Sequence, residues 1–321
     1  MEDLNLNIEG TDDNIESISS NNKKQEKFLA DLSKHEISRA FTEISAENRV
    51  CVIPIGFPQA GKSLLLSSLM YYGRQGVDSY FRVNVLQENF YKKGRLAFNQ
   101  MVEYFDKGKL YEATSKGTLD LIGLDIKPIN KKMPNLKMAF LDLAGEDIKS
   151  IKVSEKGEFT DKIDAAFNGL QIDNSPIIFT LITPFSPPLN DNETIADAHG
   201  REDSLHYDFL NYLETTQPKI MRNASFVIIV SQWDLNNDEN LTAEDYIKKY
   251  RPSIFNYVKN ANVTWGNYSV GKLLVTNDNG IKMVEIVRKN IDYPARLWRK
   301  LYQLSTGLDL EKKGFWEKLF G

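Results

Sequence analysis

Cysteine is almost absent from these 321 residues: Cys51 stands alone and cannot close an internal disulfide. With only three histidines beside it, a structural zinc site is not expected. Long apolar runs are also missing. No stretch approaches roughly 18 consecutive apolar residues, so no membrane-spanning helix is expected. The longest runs, such as Phe226 to Val230, have the length of buried strands. Positive charge is not in excess. A net charge of −4 and a pI near 5.6 argue against a nucleic-acid partner. No basic-then-apolar pattern follows Met1-Glu2-Asp3, so no secretory signal is expected, and a reducing cytoplasm is the expected compartment.

What is present suits a globular chain. Hydrophobic residues make up 41% and charged residues 26%, enough for one large core with appendages. Residues 1–26 hold seven acids and two lysines, with much Asn and Ser, and read as a disordered acidic tail. Residues 27–47 carry Phe28, Leu29, Leu32, Ile37, Phe41 and Ile44 at near-helical spacing and read as an N-terminal helix. A main domain is expected over 48–306, with an aromatic-rich, helical insert at about 76–110, and a tail over 307–321.

Within the main domain Val50 to Ile55 reads as a buried strand. Ser63 to Tyr72 reads as a helix that Gly73 would end. Leu119 to Lys127 and Leu136 to Asp142 read as paired strands. Ile177 to Thr183 and Phe226 to Ser231 are two further strands, with a long loop expected at Pro184 to Asp203 and a helix at Leu205 to Leu213. Another helix starts at Thr242, a strand is expected at Tyr268 to Thr276, and a last helix at Tyr293 to Leu304. The alternation predicts an α/β sheet covered on both faces.

One motif carries chemistry. Gly56-Phe57-Pro58-Gln59-Ala60-Gly61-Lys62-Ser63 fits G-x-x-x-x-G-K-[ST], with an apolar strand before it and a Leu-rich helix after it. Glycines let backbone N–H groups wrap a phosphate, and the helix adds its positive end. The loop residues Gly56, Gln59, Ala60, Gly61, Lys62, Ser63 and Leu64 are therefore candidate nucleotide contacts. Lys62 reaches the β- and γ-phosphates, and the Ser63 hydroxyl is a natural Mg²⁺ ligand. Downstream, Met138 to Leu141 is an apolar strand ending in Asp142-Leu143-Ala144-Gly145. Asp142 suits the Mg²⁺ water shell, and Gly145 suits a backbone approach to a γ-phosphate. A third strand ends in Ser231-Gln232-Trp233-Asp234.

In chain order these three elements resemble the translation-factor-related (TRAFAC) P-loop GTPases, which carry a phosphate loop, then D-x-x-G, then N-K-x-D. The third motif here departs, keeping only the aspartate. The resemblance implies a three-layer P-loop fold and a nucleotide switch that binds GTP or GDP with Mg²⁺. It implies that Asp234 receives the guanine N1 and N2 protons, with Gln232 beside it. The last base contact falls in Tyr268-Ser269-Val270-Gly271, with Ser269 as candidate, or in Val275-Thr276-Asn277. The first-switch threonine that closes on Mg²⁺ and γ-phosphate is Thr118 or Thr114. The long first switch, the Asp142 to Asp147 tract and the Leu297-Trp298-Arg299-Lys300-Leu301-Tyr302 helix look most like the bacterial double-GTPase branch, which implies a component of a multi-protein defence or conflict system.

Glu146 occupies the position where small GTPases of this class often place a water-orienting Gln. A carboxylate there repels the γ-phosphate, so slow intrinsic turnover is expected. An arginine from an activating partner raises such rates by about 10³–10⁵; Arg74, Arg82 and Arg95 are internal candidates. A non-hydrolysing GTP-binding scaffold and a P-loop ATPase are the alternatives. The C-terminal Phe315, Trp316, Leu319 and Phe320 follow two lysines and suit docking to a partner, and a homodimer across the nucleotide face is a further expectation.

Overall fold

The computed structural model describes residues 32–76, 80–111, 119–149, 151, 158–170, 176–258, 262–278 and 281–310. The acidic tail, the C-terminal docking residues and both candidate switch threonines, Thr114 and Thr118, lie outside them.

The first described helix, α1 (Lys34–Ala46), is capped at Ser33; residues 27–31 of the expected N-terminal helix lie outside the described residues. Ser33 accepts from the Glu36 N–H while Glu36 reaches back to the Ser33 N–H, a reciprocal cap worth about 1 kcal/mol. The larger contribution is packing. Ile37, Phe41 and Ile44 are wholly buried, at about 1.5–3 kcal/mol each.

The main sheet contains β1 (Val50–Gly56), β2 (Phe81–Val85), β3 (Leu119–Pro128), β4 (Leu136–Leu143), β5 (Ile177–Pro184), β6 (Ala224–Ser231) and β7 (Asn262–Asn267), in the order β2-β3-β4-β1-β5-β6-β7. Strands β4, β1, β5, β6 and β7 run parallel, while β3 is antiparallel to both its neighbours. Alternation along the strands divides the core. Cys51, Ile53 and Ile55 of β1 face the same side as Phe179 and Phe226, under α1, α5 (Glu158–Leu170) and α6 (Ile195–Thr216). Val50, Val52, Phe140 and Ile229 face the opposite side, under α2 (Lys62–Gln75), α3 (Lys92–Asp106) and α10 (Asp292–Thr306). The chain is thus a mixed α/β fold, a mostly parallel sheet with helices on both faces. No helix among the described residues is long and apolar enough to cross a membrane.

Several boundaries differ from the sequence expectation. Gly73 does not end α2. It lies inside the helix, with Val83 and Trp298 packed where its side chain would be, and Gly76 in a left-handed conformation forms the C-cap. The insert is not purely helical: it adds edge strand β2, with Phe81 in the core, before α3 buries Phe98 and Phe105. The loop expected over Pro184 to Asp203 ends at Thr194, because Thr194 and Asp197 form another reciprocal cap and start α6. Tyr268 to Thr276 is not one strand of the main sheet. That place is taken by β7, and β8 (Gly271–Asp278) pairs with β9 (Ile281–Lys289) as a separate antiparallel hairpin.

The intervening helices are α4 (Gly145–Lys149), α7 (Pro218–Asn223), α8 (Ala243–Tyr250) and α9 (Pro252–Val258). Thr242 caps α8 by accepting from the Asp245 N–H, as its sequence suggests.

Candidate functional site

The carboxyl ends of the five parallel strands lie along one edge of the sheet, the place where open α/β sheets bind ligands. There β1 ends at Gly56 and the chain turns through Phe57 to Gly61 into α2. Gln59 (φ 68°) and Gly61 (φ 81°) are both left-handed. A side chain at Gly61 would find room, its nearest neighbour being Ser231 Oγ at 3.8 Å, so glycine is required there by conformation and not by space. Gln59 holds the same conformation with a side chain, at a cost of about 1–2 kcal/mol. Such a turn can direct successive N–H groups into one concavity, an anion-binding arrangement that the start of α2 reinforces.

Lys62 opens α2 and is buried. It makes an ion pair with Asp142, which is fully buried near the end of β4. Asp142 stands directly across the β3–β4 ladder from Asp120. Like charges in that position repel, and each carboxylate has its own cation: Lys62 for Asp142, and Lys93 Nζ at 3.2 Å for Asp120. Asp120 was not anticipated from sequence, because an acid at the start of a motif-free strand carries no local signal. Ser63, half-buried, follows Lys62. A hydroxyl and two carboxylates are hard oxygen donors suited to Mg²⁺, which takes one or two carboxylates together with substrate phosphates.

Gly145 follows two residues after Leu143, at the start of α4. A Cβ there would lie 2.9 Å from the Gly56 carbonyl oxygen and from the Pro58 nitrogen. Only glycine therefore lets the Asp142-to-Gly145 turn rest against the glycine loop. Glu146 is exposed, while Asp147 and Ile148 turn inward. None of the arginine candidates joins this group. Arg74 bonds Asn99, Arg95 bonds the Gln87 and Glu88 carbonyls, and Arg82 is exposed on edge strand β2.

Beside the loop, the end of β6 makes a contact the sequence reading missed. Ser231 Oγ donates to the Ala60 carbonyl at 2.7 Å, tying β6 to the glycine loop. Gln232 is left-handed (φ 58°), and its side chain accepts from Ser186 N at 3.4 Å, so it supports the neighbouring loop. Asp234 is exposed, and its Oδ1 accepts from Ser269 Oγ at 2.8 Å. Ser269 is held in turn by Tyr268, which is buried, hydrogen-bonds Ser68 of α2 at 2.6 Å, and gives its carbonyl to Trp233 N. Of the two stretches left open by sequence, Tyr268 to Gly271 lies beside Asp234. Val275 to Asn277 belongs to the hairpin.

These parts border an open cleft of about 1190 Å³. Its walls include Gly61 and Leu64 on one side, and Gln232, Asp234 and Ser269 on another. Lys62, Ser63 and Asp142 lie off this cleft, so it adjoins the phosphate-type loop without including its cation and carboxylates.

A second polar group supports the end of β5. His199, Glu202, Asp203 and His206 form one buried stripe of α6. Arg251, wholly buried, bonds Thr183 Oγ1 (2.8 Å) and His199 Nδ1 (2.8 Å). The His206 ring stands edge-on to Phe57 of the glycine loop, with centroids 4.6 Å apart. Burial pushes His206 down to about 3 and His199 down to about 4, the Arg251 charge adding to both, and burial raises Glu202. Neutral imidazoles are what this stripe can hold.

No protein-family model and no curated protein matches this chain. Among solved structures it is similar to the crystal structure of an SsGBP mutation variant, at 11% identity and a TM-score of 0.33, over 87% of this chain and 66% of the other. The chain thus spans just under two thirds of that structure's length.

Proposed function

We propose that this chain is a P-loop GTPase of the TRAFAC class, a molecular switch that binds GTP with Mg²⁺ and hydrolyses it slowly. The observation that carries this reading is one juxtaposition. Lys62 of the glycine loop meets Asp142 of the D-x-x-G turn, and the Asp234–Ser269 pair lies on the adjoining cleft. In this reading the loop amides and Lys62 hold the phosphates. Ser63 and Asp142, with Asp120 across the ladder from it, would hold Mg²⁺, which would supply positive charge to the bound phosphates. Asp234 takes the two guanine donors, a pattern that adenine does not offer. Lys62 must leave Asp142 for the phosphates, so the nucleotide and its cation replace an ion pair already present. The Gly145 backbone lies against the loop, where a γ-phosphate would meet it.

Catalysis here is positioning and electrostatic stabilisation. Glu146 is an exposed acidic side chain, and it suits neither an approach to a γ-phosphate nor rapid activation of water. That favours slow turnover, and at its limit the non-hydrolysing scaffold. A multiple-turnover phosphate-release assay separates the two. GTP hydrolysis well below 1 s⁻¹, Mg²⁺-dependent, abolished by Lys62→Ala and absent with ATP, is the expected result. Faster ATP hydrolysis would overturn the GTPase reading. Stoichiometric binding with no release at all would leave the scaffold.

A further inference from the structure

The aromatic-rich insert reaches the site through one side chain. Helix α3 begins with Lys92 and Lys93 and has no acid in its first turn. Cations are disfavoured at a helix N-terminus, where the dipole is already positive. Lys93 has a partner that accounts for it, since its Nζ lies 3.2 Å from Asp120 Oδ1. Backbone packing fixes that placement. A Cβ at Gly94 would overlap the Leu121 carbonyl, and one at Gly123 would overlap the Tyr91 ring. The first turn of α3 therefore rests directly on β3. Tyr91, just before it, is held by Arg49, which donates to its hydroxyl at 2.8 Å. The far end of α3 is tied as well. Ile286 N donates to the Gly108 carbonyl at 2.7 Å, and Lys289 Nζ donates to the Asp106 carbonyl at 2.7 Å. Both bonds join it to the β8–β9 hairpin, one wall of the cleft.

Lys93, Asp120, Asp142 and Lys62 are linked in series by two ion pairs and one cross-strand pairing, and their charges sum to zero. The two lysines differ in role. Lys62 belongs to the glycine loop and, in the nucleotide reading above, turns to the phosphates. Lys93 belongs to a helix pinned at both ends and stays with Asp120. Once Lys62 leaves, two carboxylates and one ammonium carry a single net negative charge. Without Lys93 they would carry two. A divalent cation at Asp142 feels that difference, because its attraction scales with the charge it meets.

We propose that Lys93 is a positioning residue: by neutralising Asp120 it holds down the affinity of the Asp142 side for its divalent cation, so that cation and nucleotide exchange readily. This rests on the nucleotide reading. The insert thereby supplies a charge that none of the three motif-bearing segments provides.

Titration calorimetry of the full chain with GDP at graded Mg²⁺ gives the Mg²⁺ concentration that half-saturates nucleotide binding. It is run on wild type, Lys93→Met, Lys93→Gln, Asp120→Asn and Lys93→Met/Asp120→Asn, with melting without ligand as the check on folding. Lys93→Gln keeps a hydrogen-bond donor beside Asp120 and serves should Lys93→Met not fold. Either neutral variant at Lys93 should lower the half-saturating Mg²⁺ by at least about fivefold while lowering the melting temperature. Asp120→Asn should raise it, and the double variant should return it to within about twofold of wild type. A lysine that served stability alone would leave the Mg²⁺ requirement unchanged or raise it when replaced, and either result would overturn the proposal while GDP binding stands. A tightening that survives in the double variant would overturn it too, because Asp120 would not carry the effect. So would GDP binding by wild type that ignores Mg²⁺. Failure of wild type to bind GDP at all would overturn the nucleotide reading and this inference with it.

Discussion

Single residues decide what this site can do. Lys62 is buried in an ion pair with Asp142, and Asp234 is oriented by Ser269. Ser231 links them. Its hydroxyl satisfies the buried Ala60 carbonyl at 2.7 Å and reaches the Thr183 carbonyl at 3.3 Å. Ser231→Ala leaves that carbonyl without its donor, which costs about 1–3 kcal/mol. Chemical denaturation should show a loss of this size with an unchanged m-value, together with weaker nucleotide binding. Unchanged stability would mean that the tether is not needed. The turn from β1 into α2 was legible because the fixed spacing of Gly56, Gly61 and Lys62 announces it. The contacts of Ser231, Asp120 and Arg251 were not, since each is made to a residue distant in sequence: Ala60, Lys93 and Thr183.

At the scale of elements, what was legible followed from local chemistry. Strands β1, β4, β5 and β6 are apolar on both faces and read as continuous runs because helices cover both sides. The hairpin was hidden by reading Tyr268 to Thr276 as one strand, although Asp278-Asn279-Gly280 has the composition of a tight turn. Strand β7 was missed because Asn262 to Asn267 is an edge strand of mixed polarity, only partly buried. Helix α6 hid its start within a Pro- and Asn-rich stretch, where the Thr194/Asp197 cap was the available signal.

The buried face of α6 also sets a pH dependence. His206 sits at about 3 in the fold against 6.5 for a free imidazole, a depressed value. Its neutral form thus contributes stability that is complete above pH 6.5 and is lost as pH falls from 6.5 toward 3, at about 1.4 kcal/mol per unit. His199, held near 4, acts with the same sign. Glu202 acts oppositely, because its raised value gives stability that fades as pH rises through it. Melting temperatures should therefore fall steeply between pH 6.5 and 4. His206→Phe, which keeps the ring against Phe57, should flatten that fall. A variant with the wild-type acid slope would show that other groups control it.

For the whole molecule, topology does the assembling. Because β1 lies between β4 and β5, the chain passes to one side of it for β2 and β3, returns at β4, and crosses to β5. That reversal brings the glycine loop beside the Asp142 turn on one flank and, two strands over, beside Ser231 and Asp234 on the other. The mixed α/β class, with helices on both faces of the sheet, was legible from alternating apolar runs. The cleft's hairpin wall was not, because it forms from a segment that joins no motif. The central claim is that the cleft and loop together select a guanine nucleotide. The most direct test is titration calorimetry of the full chain with Mg²⁺ and either GDP or ADP, with Lys62→Ala and Asp234→Asn in parallel. GDP should bind at least about tenfold tighter than ADP, Asp234→Asn should erase that preference, and Lys62→Ala should weaken binding of phosphate-bearing ligands. Equal affinity for the two nucleotides in wild type, or a guanine preference untouched by Asp234→Asn, would contradict it.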